Sequence, residues 1–212
     1  MLSSNLIRWS GLAALVGGVL FIIADVTEFF LFGDQPDSVA AATNSWVILD
    51  MFFLVTIVLI FLGLVGLYAH QAEQAGILGL VAFVVALSGT AMLFGFVWGA
   101  AFILPEMAAA APEFVDPAFL DADPSGALIV GVLLTFVLFA LGWLLFGLTS
   151  LRARVLPRGA AVLLMIGAVS FVVIFMLDFP GATVVFSAAL AWMGYALWSG
   201  ADEQATEPQP AT

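Results

Sequence analysis

The stretch GLAALVGGVLFIIADVTEFFLFGD, residues 11–34, begins as an apolar run and has carboxylates in its last turns. About 20 consecutive apolar residues are needed for a helix to cross the hydrocarbon core of a bilayer. The stretch therefore predicts a transmembrane helix that carries Asp25 and Glu28 near one end. It is longer than the apolar region of a signal peptide and ends in no A-x-A-like cleavage site, so we expect this helix in the mature protein.

The rest of the chain has the same apolar character. Of its 212 residues, 64% are hydrophobic and only 9% are charged, whereas soluble domains average about half and about a quarter. Six runs have spanning length or close to it. They are Trp9–Phe32, Trp46–Tyr68, Ile77–Leu104, Ala127–Thr149, Ala160–Leu177 and Ala182–Trp198.

The last two runs are the shortest and allow two interpretations. They could form one re-entrant hairpin, but Pro180 and Gly181 favour a tight turn between two spans. We therefore predict an all-α polytopic bundle, a six-helix transmembrane domain over residues 1–199. A polar, Pro-containing and acidic tail at 200–212 is predicted to be disordered.

The four arginines indicate the orientation of the spans. Arg8 precedes the first span, and Arg152, Arg154 and Arg158 all lie between the fourth and the fifth. With six spans these two places share one side, which the positive-inside rule makes cytoplasmic. We therefore predict a multi-pass protein of the cell membrane with both termini, and the tail, in the cytoplasm.

Two acid-rich loops, at 33–45 and 105–126, then face outward. We predict a short helix around Glu106–Ala111 within the loop at 105–126. The length of this loop favours a role as a lid or as a partner-binding segment.

Three spans that run inward end in related ways: LGLVGLY at 62–68, LGWLLFGL at 141–148 and MGYALW at 193–198. The pattern is consistent with three tandem helical hairpins, since internal repeats are common in transporter folds. Chance is the alternative, because Gly, Ala and Leu dominate any such chain.

The segment RARVLPRGAAVLLMIG, residues 152–167, directly follows the second of these endings. It resembles a pattern of six-span bacterial and archaeal integral membrane proteins that are classed as domains of unknown function. The resemblance covers the fourth and fifth spans best. It implies the fold class and brings no activity and no functional residue with it.

Asp25 and Glu28 are the first candidate site residues, because an acid at a helix centre costs about 2.5–3.5 kcal/mol on insertion scales. They lie three residues apart, so they share one face of the helix. Gly11, Gly18 and Asp25 are spaced by seven, with Ala14 between them. Small residues in such a row favour close helix packing, so we expect the acids to point into the bundle.

Asp50 and Asp178 lie near the same outer level and complete a candidate cation, proton or substrate site with Asp25 and Glu28. Carboxylate oxygens suit Na⁺, Ca²⁺ or Mg²⁺ rather than zinc or copper. Structural roles are the alternative. Asp50 is near a helix start, where acids are favoured, Asp178 could cap the sixth span, Glu28 could reach the interface, and Asp25 could bond a hydroxyl.

Other singular residues have structural interpretations. Ser88 and Thr90 lie mid-span, where hydroxyls bond back to the helix or across to a partner. Gly95-x-x-x-Gly99 is a helix-packing motif. His70 is the single histidine; without further ligands it cannot build a zinc or haem site, and we expect it at the membrane interface.

The sequence excludes or disfavours several classes of function. There is no cysteine, and the net charge of −11 with only four basic residues argues against nucleic acid. No catalytic or phosphate-binding motif is present, and Asp25 with Asp50 is the one pairing suited to an intramembrane aspartyl mechanism. We expect neither an enzyme nor a cofactor.

Two hypotheses remain. The first is a non-enzymatic membrane protein whose outward-facing acidic vestibule binds or translocates a cation, a proton or a cationic small molecule. The second is a structural or accessory subunit of a larger membrane complex, or a protein that binds lipid or pigment. The partners expected are the lipid bilayer and either another membrane protein or a second copy of the chain.

Overall fold

The computed structural model describes residues 4–115, 126–176 and 183–206. All regular elements within these ranges are helical, which confirms the all-α class. The α-helices are α1 (Ser4–Phe32), α2 (Asp37–Ala41), α3 (Asn44–Phe102), α4 (Leu104–Ala110), α5 (Gly126–Ala153), α6 (Arg158–Met176) and α7 (Val184–Thr206), and a 3₁₀ turn covers Pro112–Phe114. Helix α4 confirms the short helix expected in the 105–126 loop.

Three of the described helical segments are long and apolar enough to cross a membrane, by length and composition. They are Asn5–Phe32, Asn44–Ala110 and Gly126–Ala153. Two shorter apolar helices follow, Arg158–Val172 and Val184–Gly200. The helices thus support a membrane protein.

Helix α3 reverses direction at Gly76, which has φ 57° and ψ −148°. This is backbone geometry that is nearly restricted to glycine. A straight helix of its 59 residues would be about 88 Å long, at ~1.5 Å per residue. The reversal divides α3 into a first half, residues 44–75, and a second half, residues 77–102.

Contacts between the two halves show that they run antiparallel. Near the reversal, the rings of Tyr68 and Phe83 stack with centroids 4.4 Å apart. At the far end, the indole Nε1 of Trp46 donates a hydrogen bond to the Ala100 carbonyl at 3.1 Å. The halves therefore pack side by side along their whole length.

Helix α1 packs closely on both of its neighbours. A Cβ added to Gly63 would lie 2.6 Å from the Ala14 Cβ, so the first half of α3 meets α1 at van der Waals distance. On the other side, a Cβ on Gly18 would lie 2.5 Å from the Ser187 carbonyl oxygen of α7. The packing stripe predicted at Gly11, Ala14 and Gly18 is confirmed.

The remaining interfaces close the helices into a ring. The second half of α3 packs against α5, α5 against α6, α6 against α7, and α7 against α1. Inside the ring, aromatic side chains of α5, α6 and α7 form the core, with the ring centroids of Trp143 and Phe186 5.0 Å apart and those of Phe139 and Phe171 4.7 Å apart. Helices adjacent in sequence are therefore neighbours in space.

The predicted packing role of Gly95 and Gly99 is wrong for the described part of the chain, because none of its atoms lies within 4 Å of a Cβ added at either position. The close approach of this part of α3 to α5 occurs instead at Gly89, which faces the Phe139 backbone, and at Gly142, which faces Ala86.

Candidate functional site

The two ends of the ring differ in their charged groups. All four arginines lie at the end where α1 begins and α5 ends, called here the arginine end. Asp25, Glu28 and Asp50 lie toward the opposite end, called here the acidic end. The antiparallel register fixes this assignment, because Ser10 near the start of α1 faces Gly66 in the later part of the first half of α3.

Asp25 is half-buried on α1 and faces the start of α7. The Thr183 hydroxyl lies against its carboxylate. Even so, Asp25 Oδ2 and Thr183 Oγ1 are both buried, and neither completes a hydrogen bond with any other described atom. The two groups are therefore in contact, but their hydrogen-bonding capacity is not fully met.

Ser187 is a further buried hydroxyl near Thr183. Its backbone N–H donates a hydrogen bond to the Thr183 carbonyl at 2.8 Å, so the two residues lie one turn apart where α7 begins. Ser187 is completely buried, and its Oγ has no hydrogen-bond partner within the described ranges. We call Asp25, Thr183 and Ser187 the α1/α7 oxygen cluster.

Asp50 is the second unpartnered acid. Its side chain is only 7% exposed, and its Oδ2 forms no hydrogen bond in the described part of the chain. Sequence reasoning allowed a helix-start role for Asp50, and the structure adds that the side chain is buried there. The side chain shares the inward face of α3 with Phe53, which is also buried.

A ring contact places Asp25 and Asp50 at one level. Phe21 and Phe53 meet edge to face with centroids 5.1 Å apart. Asp25 follows Phe21 by four residues on α1, and Asp50 precedes Phe53 by three residues on the antiparallel α3. Each carboxylate is therefore about one helical turn beyond the ring pair, toward the acidic end.

Unpartnered buried oxygens are energetically unfavourable. A buried polar group without a partner costs about 1–3 kcal/mol, and more when it is charged. Several buried hydroxyls in the described helices avoid that cost by bonding to their own helix, as Thr90 does to the Ala86 carbonyl at 2.7 Å. Thr183 and Ser187 depart from this pattern, which marks their surroundings as a candidate site.

The other predicted site residues take different positions. Glu28 lies one turn beyond Asp25, half-buried, and is not among the unpartnered groups. Asp178 lies outside the described residues. Within the described ranges, no three acidic or histidine side chains converge as a metal site would require. The arrangement offers separate carboxylates, one of them accompanied by hydroxyls.

Thr183 and Ser187 were not identified from the sequence. Their spacing of four places two hydroxyls on one face of the last apolar run, and that is the one signal the sequence contains. It is weak, because hydroxyls in apolar helices ordinarily bond to the backbone one turn earlier.

Comparison of the chain with protein-family models, with curated proteins and with solved structures finds no match. The chemistry of the site is therefore inferred from its own atoms.

Proposed function

We propose that this chain is a six-span membrane protein that binds and translocates a proton or a monovalent cation, through Asp25 and Asp50 at its acidic end. The observation that carries this proposal is the α1/α7 oxygen cluster, in which the Thr183 hydroxyl lies against the buried Asp25 carboxylate, and the Ser187 hydroxyl, one turn away, has no hydrogen-bond partner among the described residues. A bound proton, cation or water would give these oxygens the partner they lack. Asp50 provides a second carboxylate at the same level, on the neighbouring first half of α3.

The reversal of α3 supports the six-span topology. Its two halves, together with α1, α5, α6 and α7, make six apolar helical segments in antiparallel succession. The arginines lie at one end, and that end is cytoplasmic under the positive-inside rule. Both chain termini are on the cytoplasmic side in this arrangement, and Asp25 and Asp50 are near the outer side.

The types of oxygen present favour a proton or a monovalent ion. Among divalent cations, Ca²⁺ takes six to eight oxygen ligands in proteins, usually including several carboxylates. The α1/α7 oxygen cluster contains one carboxylate and two hydroxyls. One negative charge balances one proton or one Na⁺, and hydroxyl oxygens can complete a shell around Na⁺ without adding charge.

The interior below the site favours a carrier over an open pore. Phe21 and Phe53 are 5% and 6% exposed, and Ile57 and Leu64 below them are fully buried. This packed apolar segment of the described chain separates the acidic end from the arginine end along the inward face of α3. A transported ion would therefore need a change in helix packing to pass.

The test is thermal unfolding of the purified protein in lipid nanodiscs between about pH 4 and pH 8, with Na⁺, K⁺ or Ca²⁺ added. We expect protons or Na⁺ to stabilise the wild type, and Asp25→Asn and Thr183→Val to abolish the response. Asp34→Asn is the matched control, since it removes an exposed acid at the same end. Flat curves for the wild type would contradict the proposal and favour the accessory or lipid-binding role.

A further inference from the structure

Gln71 is a fully buried amide whose Oε1 and Nε2 both lack hydrogen-bond partners among the described residues. A carboxamide carries two N–H donors and an acceptor oxygen. Leaving all of them unsatisfied is more costly than placing Leu or Met at the position. The polar atoms of Gln71 therefore indicate a ligand or water at this place.

The position of Gln71 relates it to Asp50. Both belong to one buried stripe of the first half of α3, with steps that alternate between three and four residues. The stripe consists of Asp50, Phe53, Ile57, Ile60, Leu64, Leu67 and Gln71, and each is 7% exposed or less. Asp50 and Gln71 are separated by about 31 Å at ~1.5 Å per residue, close to the ~30 Å thickness of a bilayer core.

The connection between α5 and α6 contacts His70, the residue before Gln71. The adjacent His70 side chain hydrogen-bonds to the Val155 backbone carbonyl, which belongs to this connection. The next residue, Leu156, is buried in the core at 5% exposure. Ser150, at the end of α5, is also fully buried. Gln71 thus lies at the arginine end, directly after a residue that contacts the connection between α5 and α6.

We propose that Gln71 is the second ligand position on the transport path, at the arginine end, for a hydrated monovalent cation or a hydronium ion. This inference rests on the proposed function. The amide oxygen accepts from the ligand's water or coordinates the ion directly, and the N–H groups bind the remaining water. Because the amide is uncharged, it holds a cation less tightly than Asp25 or Asp50 does, which favours release at this end.

The experiment combines binding and flux in the full-length protein. Gln71→Met keeps the length of the side chain and removes its polar atoms, and Gln74→Met makes the same change at an exposed glutamine one turn further on. Stabilisation by protons or Na⁺ in nanodiscs reports binding at the acidic end. Uptake into proteoliposomes, driven by a pH gradient in one arm and by a Na⁺ gradient in the other, reports transport and identifies the ion.

We expect Gln71→Met to keep the ligand-induced stabilisation and to lose flux about tenfold, the loss expected from one hydrogen bond to a charged ligand. Gln74→Met should behave as the wild type. Flux in Gln71→Met equal to the wild type, with binding intact, would overturn this inference alone. A wild type that shows neither stabilisation nor flux would overturn the proposed function and this inference with it.

Were Gln71→Met to unfold, Gln71→Asn retains the amide on a side chain one methylene shorter. Its flux should then lie between that of the wild type and that of the Asp25→Asn variant. If Gln71→Asn had the same flux as the wild type, the amide of Gln71 would not be in contact with the ligand, and the inference would be contradicted.

Discussion

The indole Nε1 of Trp143 donates a hydrogen bond to the Thr90 hydroxyl at 3.0 Å, and this hydroxyl in turn donates to the Ala86 carbonyl at 2.7 Å. Both side chains are buried, with Trp143 fully so. The pair therefore connects α5 to the second half of α3 at the centre of the aromatic core. The mid-span hydroxyl was expected to bond either along its own helix or across to a partner, and Thr90 does both.

Thr90→Val should destabilise the protein by about 1–2 kcal/mol, because it leaves the buried Trp143 N–H without an acceptor. The isosteric methyl keeps the packing unchanged. Thr90→Ser retains the hydroxyl and should have a smaller effect. Denaturant unfolding in detergent or nanodiscs measures both, and equal stability of Thr90→Val and the wild type would show that the bond contributes nothing.

Gly63→Val should weaken the packing of α1 on α3. The added side chain would meet Ala14, whose Cβ is already 2.6 Å from the position of a new Cβ. Overpacking of this kind typically costs about 1–3 kcal/mol. Gly95→Val is the control, because no atom of the described ranges lies within 4 Å of a Cβ added there. Thermal unfolding of the two variants should show a lowered Tm for Gly63→Val only; similar Tm values for both would contradict this packing.

Gly76→Ala should destabilise the reversal of α3 by about 1–3 kcal/mol, because alanine is strained at φ 57° and ψ −148°. Among the described residues, no atom lies within 4 Å of a Cβ added at Gly76, so the expected effect is conformational and involves no clash. Gly99→Ala, in an open helical position of the same helix, is the control and should not destabilise the protein, because alanine is the better helix former. Circular dichroism during thermal unfolding compares the two, and an unchanged Tm for Gly76→Ala would mean that the chain reverses differently.

His70 should make the stability depend on pH in a defined direction. It lies between the predicted spans at 46–68 and 77–104, and burial lowers the pKa of its imidazole, opposed in part by the hydrogen bond to the Val155 carbonyl. The folded state therefore binds a proton less readily than the unfolded state, whose pKa is about 6.5. The free energy of unfolding should fall as the pH drops below about 6.5.

Comparison with His70→Gln isolates this contribution from that of the acids. The difference in stability between wild type and His70→Gln should change as the pH is lowered from about 8 to 5, with the wild type losing more. A difference that stays constant across this range would show that the histidine titrates alike in both states.

The sequence predicted well those features that depend on local pattern. The stripe of Gly11, Ala14 and Gly18 is in close contact with neighbouring helices, because small side chains at these spacings let another helix approach closely. The second apolar half of α3 begins beside Gly76, next to the predicted start of the third span at Ile77.

Features that depend on a partner helix were harder to predict. Gly95 and Gly99 have the spacing of a packing motif, but their face contacts no neighbouring helix that the structure describes, and spacing alone cannot show which face does. The inward orientation of Asp50 and Gln71 depends likewise on which stripe of α3 the ring encloses. Thr183 became relevant because the register of α7 on α1 brings it beside Asp25, and this register involves residues far apart in the chain.

The packing of α1 between α3 and α7 also has a consequence for biosynthesis. Helix α1 is translated first and α7 last, so the face of α1 that carries Gly11 and Gly18 has no protein neighbour until nearly the whole chain has been synthesised. During that time Asp25 has no contact with Thr183, and lipid or an insertion chaperone must cover this face. Truncation before α7 should therefore leave a chain that inserts but stays open, and quality-control proteases would be expected to degrade it.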